Sequence, residues 1–247
     1  FAAGRRFLRG LSTDARAGLS GLGWSYLTHG LQLVLRLGSS LIITRLVLRE
    51  DYGIFGTALA VLFFFEFLSD IGLRPAVVRS TRGEDPGFVG TAWSVVLLRA
   101  VGLSVAVFGL AWMLPVLYEK PELHGVLLVL SVRPILIAFQ NPTLFVLYRR
   151  LNYRVPFYLD VSQTLIAVPV TVLLAWLLGN VWALVLGLLV GDVARLVLSH
   201  VLCPPAPAPQ WDRAAVRELS HFGLSIFLNT LVFGAWFYFD RLAGPRF

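Results

Sequence analysis

Lysine is almost missing from this chain: Lys120 stands against twenty arginines. Cysteine and methionine occur once each. The lone Cys203 excludes an intrachain disulfide, and no Cys-x-x-Cys pair is present. Four histidines, at positions 29, 124, 200 and 221, lack the spacing of a zinc site. There is no Gly-x4-Gly-Lys-Ser/Thr loop to cradle a nucleotide, so no ATP engine of that kind resides in these residues. His-Glu-x-x-His and Gly-x-Ser-x-Gly are missing too, and no nucleophile stands with its base. Nothing therefore argues for an enzyme. Charge of either sign is scarce, at 14% of residues, where a soluble domain carries about 25%.

What the chain has instead is oil. Apolar residues make up 57% of its 247 positions, and the mean hydropathy is +0.76. A bilayer core of about 30 Å needs about 20 apolar residues as helix. Seven segments qualify: 22–46, 54–79, 88–116, 123–148, 157–178, 181–202 and 219–241. Backbone groups in lipid must be satisfied within a segment, so these are expected to be helices. Ten-residue alternating strands, the mark of a membrane barrel, are not seen. The basic start, Arg5, Arg6 and Arg9, is followed by an apolar run too long for a signal peptide. The fold class expected is all-α: a polytopic membrane helix bundle of about seven transmembrane helices.

The connectors are short, among them "REDYG" (49–53), "TRGEDPG" (81–87), "YEKPE" (118–122), "RRLNYR" (149–154) and Gly179-Asn180. The long one is "CPPAPAPQWDRAAVRE" (203–218), whose Pro-Ala repeat favours an extended, semi-rigid spacer. Four units follow: a basic segment 1–21, a six-helix bundle 22–202, a Pro-rich linker 203–218, and 219–247 as the first helix of a truncated second bundle. With the N-terminus inside, twelve Arg fall on that side and three Arg or Lys outside. Such a bias assigns the N-terminus and the linker to the cytoplasm. Helix seven then enters the membrane in the same sense as helix one. "GLGWSYLTHGL" (21–31) and "HFGLSIFLNTL" (221–231) share Gly, Ser and Leu at matching places, as a parallel repeat would. The chain opens on Phe and closes on "FDRLAGPRF", and is expected to be a piece of a longer protein.

Ionisable residues interrupt the oil. A charge at the bilayer centre costs about 2.5–3.5 kcal/mol on insertion scales. Arg36, Arg99 and Arg133 fall near the middles of helices one, three and four, and Glu66 near the middle of helix two. In "FFFEFLSDIGLR" (63–74), Glu66, Asp70 and Arg74 are spaced i, i+4, i+8, on one helical face with Asp70 able to pair with Arg74. Asp192 and Arg195 are expected to pair likewise. Helix one carries a polar stripe through Ser25, His29, Gln32, Arg36 and Ser40. Helix four adds Asn141 and Gln140, helix five Asp160, and helix seven Asn229. Such charges either pin helix to helix or line a wet lumen. Arg36, Arg99 and Arg133 against Glu66 leave an excess of positive charge that an anionic ligand would neutralise. Pro134, Pro142 and Pro169 are expected to kink or open their helices. Trp and Tyr near segment ends are expected to be interface anchors, and the histidines packing residues.

Four stretches then resemble a known family. They are "RLVLREDYGIFG" (45–56), "DIGLRPAVVR" (70–79), "YRRLNYRVPFYLDV" (148–161) and "NTLVFGAWFYFDRL" (229–242). Their order and spacing resemble the polysaccharide transport family of the multidrug/oligosaccharidyl-lipid/polysaccharide exporter superfamily. Arg49 stands where that family usually has proline. The resemblance implies the N-terminal bundle of a two-bundle exporter fold in the bacterial cytoplasmic membrane. It implies a cargo of undecaprenyl-pyrophosphate-linked sugars, flipped by alternating access, and polysaccharide polymerase machinery as a partner. Membrane lipid is the other expected partner, and no nucleic acid is. No cofactor is implied. Arg36, Gln32, Arg99, Arg133, Asn141 and Asn229 are the expected substrate-binding residues. Glu66, Asp70, Arg74 and Asp160 are expected to tune charge or to hold a coupling proton or sodium ion. A drug or cation exporter of the same superfamily, and a non-transporting membrane assembly protein, are the alternatives.

Overall fold

The computed structural model describes residues 13–70, 72–220 and 223. Nine helices run as α1 (Thr13–Leu46), α2 (Arg49–Leu68), α3 (Leu73–Arg79), α4 (Pro86–Leu117), α5 (Glu122–Leu130), α6 (Arg133–Ala138), α7 (Thr143–Arg149), α8 (Arg154–Leu178) and α9 (Val181–Leu202). Residues 213–220 are helical as well, and no strand occurs among the described residues. The chain is an all-α membrane bundle. Among the described residues, four spans are long and apolar enough to cross a bilayer: Arg49–Arg79, α4, α8 and α9. The run from α5 through α7 makes a fifth if its 60° bend is counted within one span. The longest helix, α1, is not among the four, because His29, Gln32 and Arg36 dilute its centre. The seventh segment, 219–241, lies almost wholly outside the described residues, as do Arg5, Arg6 and Arg9.

Local chemistry explains the helix boundaries. "REDYG", expected as a loop, is the first turn of α2, with Glu50 and Asp51 in its first turn. Acidic groups there answer the partial positive charge of the exposed N–H groups. Asp85 caps α4 by accepting from the Gly87 N–H at 3.1 Å, with Pro86 at the first helical position. Asn180 caps α9 through the Trp182 N–H, and Gly179, at φ +61°, closes α8 in the left-handed region. Expected helix four is broken twice, before Pro134 and before Pro142, where no N–H can continue the ladder. Pro169, by contrast, stays inside an unbroken α8.

The main core joins four helices. Leu62 of α2, Val107 and Ala111 of α4, Leu127 and Leu130 of α5 and Val185 of α9 are buried together. Beside it, α8 lies along α9, and α1 lies along α8. The α8 to α9 approach depends on two glycines one turn apart. A Cβ at Gly187 would sit 1.9 Å from Thr171 Oγ1 and 3.0 Å from Thr171 Cα. A Cβ at Gly191 would sit 2.8 Å from Ala167 Cβ. Small residues at this spacing let two helices approach where lipid supplies no hydrophobic drive. Outward faces such as Leu98, Val105, Trp112 and Val116 of α4 and Leu173 and Trp176 of α8 are exposed apolar surface, as lipid requires.

One end of the bundle gathers the loops 80–85 and 150–153 and the connector 203–212. Arg149 donates to the Val78 carbonyl at 2.9 Å and to that of Ser80, capping the end of α3. Arg150 and Glu84 form a bidentate pair at 3.1 and 2.7 Å. The Pro-Ala connector is strapped down rather than free. The Asn141 side chain donates to the Pro204 carbonyl at 2.9 Å, and the Gln210 N–H donates to the Gly90 carbonyl at 3.4 Å. Only glycine fits at 90, since a Cβ there would meet the Ala208 carbonyl at 2.4 Å. Arg82 reaches Asp212 at 3.4 Å, and Ser80 donates to Glu218 at 2.6 Å. Ala215 and Leu219 are buried against Val77, Phe88 and Ala92.

Two outcomes follow for stability. Gly187→Leu overpacks the α8 to α9 contact and should cost about 1–3 kcal/mol, read as a lower melting point of the purified protein. The strap depends on carboxylates. The Arg150 hydrogen bonds hold Glu84 below the ordinary carboxylate range, and the Ala214 N–H does the same for Asp212. A folded-state value below the unfolded one gives stability that is present above about pH 4 and lost as the pH falls through the lower folded values. Limited proteolysis should therefore begin to cut 204–212 only on acidification into that range, and cutting that is independent of pH would refute it.

Candidate functional site

A break in the second span creates the site. After Leu68 the ladder stops, and Gly72, at φ +59°, starts α3 in the left-handed region. The Asp70 carboxylate accepts from the Gly72 N–H at 3.0 Å. In an unbroken helix the Asp70 N–H would serve the Glu66 carbonyl; here it donates to Phe67 at 3.2 Å. The freed Glu66 carbonyl accepts from Arg99 Nη2 at 2.9 Å. Arg99 Nε donates to Ser69 Oγ at 3.1 Å, and Nη1 lies 3.7 Å from Asp70. Backbone freed inside a membrane must find a protein partner. Arg99, from α4, is that partner.

Behind this break runs a chain of buried ion pairs. Arg133, at the start of α6, donates through Nη1 to Glu66 at 3.1 Å and through Nε to Asp192 of α9 at 2.9 Å. The Asp192 side chain is 2% exposed. Gln163 of α8 donates to the other Asp192 oxygen at 2.8 Å and accepts from Arg195 at 3.4 Å. Arg195 completes its contacts with Asp160 and with Gln140, the latter at 3.0 Å. One polar path thus joins α2, α6, α9 and α8.

A cavity of about 610 Å³ opens on the break. Glu66, Asp70, Arg74 and Arg99 line it beside Phe63 and Phe67. A smaller cavity of about 270 Å³ shares Asp70, Arg74 and Arg99 and reaches Tyr148 and Arg195. The size of the larger one lies within the about 300–1,000 Å³ common for ligand sites. Among the described residues no group of three or more His, Cys, Asp or Glu could hold a metal ion.

Several expectations about pairing need correction. Asp70 and Arg74 do not pair, because the break at Gly72 ends the helical register that would place them together. Asp70 faces Arg99, and the Arg74 guanidinium lies 3.6 Å over the Tyr148 ring. Asp192 pairs with Arg133 and Arg195 with Asp160, so each acid is answered across a helix interface rather than along α9. The expected surplus of positive charge also changes. Asp70, Asp160 and Asp192 join Glu66, so Arg99 and Arg133 each face acids. Asn141 is 1% exposed and engaged with Thr143, Ser199 and Pro204, as a cap to α7 rather than an open ligand group. Gln32 is half-buried, and Arg36 is exposed without an ion pair among the described residues; both sit on α1, and neither lines these cavities. Asn229 lies outside the described residues. Gln163 shares the polar face of α8 with Asp160, but that it bridges Asp192 to Arg195 depends on distances between helices that periodicity does not give.

Residues 42–240 match the family described as polysaccharide biosynthesis protein. The chain belongs to that family. It is 25% identical over 218 residues to the succinoglycan biosynthesis transport protein ExoT of Rhizobium meliloti, covering 87% of this chain and 43% of that one. It is 22% identical over 224 residues to the lipopolysaccharide biosynthesis protein WzxC of Escherichia coli, covering 91% and 44%. The chain therefore spans less than half the length of either relative. No solved structure matches it significantly. Within this family match fall the broken span, the ion-pair path and both cavities.

Arg133 offers the sharpest test of the path. Arg133→Gln leaves Asp192 as a buried, uncompensated charge, and should cost about 3–5 kcal/mol. Adding Asp192→Asn removes that charge and should recover part of the loss. Melting points of the two single variants and the double give the coupling; purely additive losses would show that the pair is not a unit.

Proposed function

We propose that this chain is the N-terminal bundle of a transporter that moves a lipid-linked oligosaccharide across the bacterial cytoplasmic membrane by alternating access. Membership of the polysaccharide biosynthesis family, together with a charged cavity on a broken span, is the observation that carries this reading. Broken spans at membrane depth occur where backbone lines a cavity, and are typical of moving transporters. The relative named a transport protein points to the same activity. The arginine bias places the N-terminus and the 203–212 strap on the cytoplasmic side. We assign 219–247 to a second bundle, entered through a helix whose Ala215 and Leu219 still pack on the first. Arg36 of α1, exposed and with no ion pair among the described residues, is a candidate to meet the pyrophosphate of an undecaprenyl carrier.

The path from Glu66 through Arg133 to Asp192 supports secondary transport. Two carboxylates share one guanidinium, so the trio carries a net negative charge in a low dielectric. Taking up one proton, or one sodium ion, neutralises it. Binding of that ion would loosen Arg133 from Glu66 and free α2 to shift against α6. The drug or cation exporter reading loses ground on family grounds alone, because the cavity charge is balanced and no longer separates the two. Deleting the full-length gene should stop polymer export and leave lipid-linked oligosaccharide in the cytoplasmic leaflet. Restored export on complementation, with a cytoplasmic accumulation scored by a membrane-impermeant glycosidase, tests it; unchanged export in the deletion strain would refute it.

A further inference from the structure

The charge around the larger cavity says which part of such a cargo the first bundle holds. Its ionisable lining is two acids and two arginines, Glu66 and Asp70 with Arg74 and Arg99. Arg99 donates to Ser69 and to the Glu66 carbonyl, and its charge faces Asp70 at 3.7 Å. Arg133, just behind Glu66, is held by two carboxylates at 3.1 and 2.9 Å. In the adjoining cavity, Arg195 is committed to Asp160, Gln140 and Gln163. A pyrophosphate entering this space would bring its negative charges to a lining of zero net charge, in which Arg74, stacked on the Tyr148 ring, is the guanidinium that faces no acid among the described residues. Taking it out of water would cost several kcal/mol per ion with no net attraction in return. Electrostatics thus turns the phosphate end away.

The same lining suits sugar rings. Asp70 has a side chain 59% exposed and Glu66 one 25% exposed, each with an oxygen left over after its contacts. Carboxylates so placed accept from hydroxyl groups, and charge-assisted bonds of this kind are among the stronger hydrogen bonds. The exposed Arg74 supplies donors beside them. Phe63 and Phe67, 52% and 46% exposed, give flat apolar faces against which the C–H face of a ring can pack. Donors and acceptors beside aromatic faces, with no net charge, are what an uncharged, hydroxyl-rich ring requires.

Resting on the proposed cargo, we infer that the cleft between α2, α3, α4 and α6 is a glycan subsite that binds uncharged sugar rings of the oligosaccharide, and that the pyrophosphate is held elsewhere. Asp70 and Phe67 are its two recognition residues, one for hydroxyl groups and one for the ring face. Both are accessible, and neither is part of the buried path through Arg133.

The test uses the full-length protein in nanodiscs and two probes. One is polyprenyl pyrophosphate; the other is the same carrier bearing the organism's own oligosaccharide. The wild type should bind the sugar-bearing probe more tightly. Asp70→Asn, which loses a hydrogen bond to a charged group, and Phe67→Ala, which loses an aromatic packing face, should each weaken that probe by about tenfold and leave the bare carrier unaffected. Asp70→Asn keeps the acceptor for the Gly72 N–H, and Phe67→Ala changes no charge, so the pair keeps the test clear of misfolding. Equal weakening of both probes would place the phosphate in the cleft and overturn the inference while the transporter reading stands. No weakening of the sugar-bearing probe by either variant overturns it as well. A wild type that does not distinguish the two probes would remove the proposed cargo, and the inference with it.

Discussion

The hydrogen bonds of Arg133 hold this bundle together where lipid can supply no drive for assembly. One guanidinium, brought to the start of α6 by the break before Pro134, meets Glu66 on α2 and Asp192 on α9. In water such pairs are worth little. In a membrane interior each member would otherwise be a naked charge, so the three must stay together or change protonation together. Gln163 extends the path to Arg195 and Asp160, and the same residues draw α8 in to the glycine face of α9. Close helix packing and charge pairing therefore depend on each other.

The broken second span follows the same logic. Gly72 releases the ladder, Arg99 satisfies the Glu66 carbonyl that the break frees, and the cavity occupies the space thus opened. An arginine expected as a substrate ligand is thereby a structural cap whose remaining exposure faces the cavity. In the proposed glycan subsite, recognition rests on exposed acids and aromatic faces beside it.

At the loop-rich end, the Pro-Ala connector behaves as a strap because Gly90 admits the Ala208 carbonyl and Asn141 takes the Pro204 carbonyl. The helix that begins at 213 is buried on the first bundle through Ala215 and Leu219. The contacts of Arg82 with Asp212 and of Ser80 with Glu218 add to this hold on the strap and the helix after it.

The sequence by itself determined the all-α membrane class, the family and the spans of α4, α8 and α9, because the length and hydropathy of a lipid-crossing helix are local properties. It also marked Glu66, Asp70, Arg99, Arg133 and Asp160 as out of place in oil, and all five stand at the cavity or on the ion-pair path. It placed the proline breaks within the fourth segment. Which charges meet was decided only by the tertiary structure. Helical spacing offered Asp70 to Arg74 and Asp192 to Arg195; a left-handed glycine and three neighbouring helices gave each a different partner. Pairing within a low dielectric depends on distances between helices, and helical periodicity along one chain does not contain them.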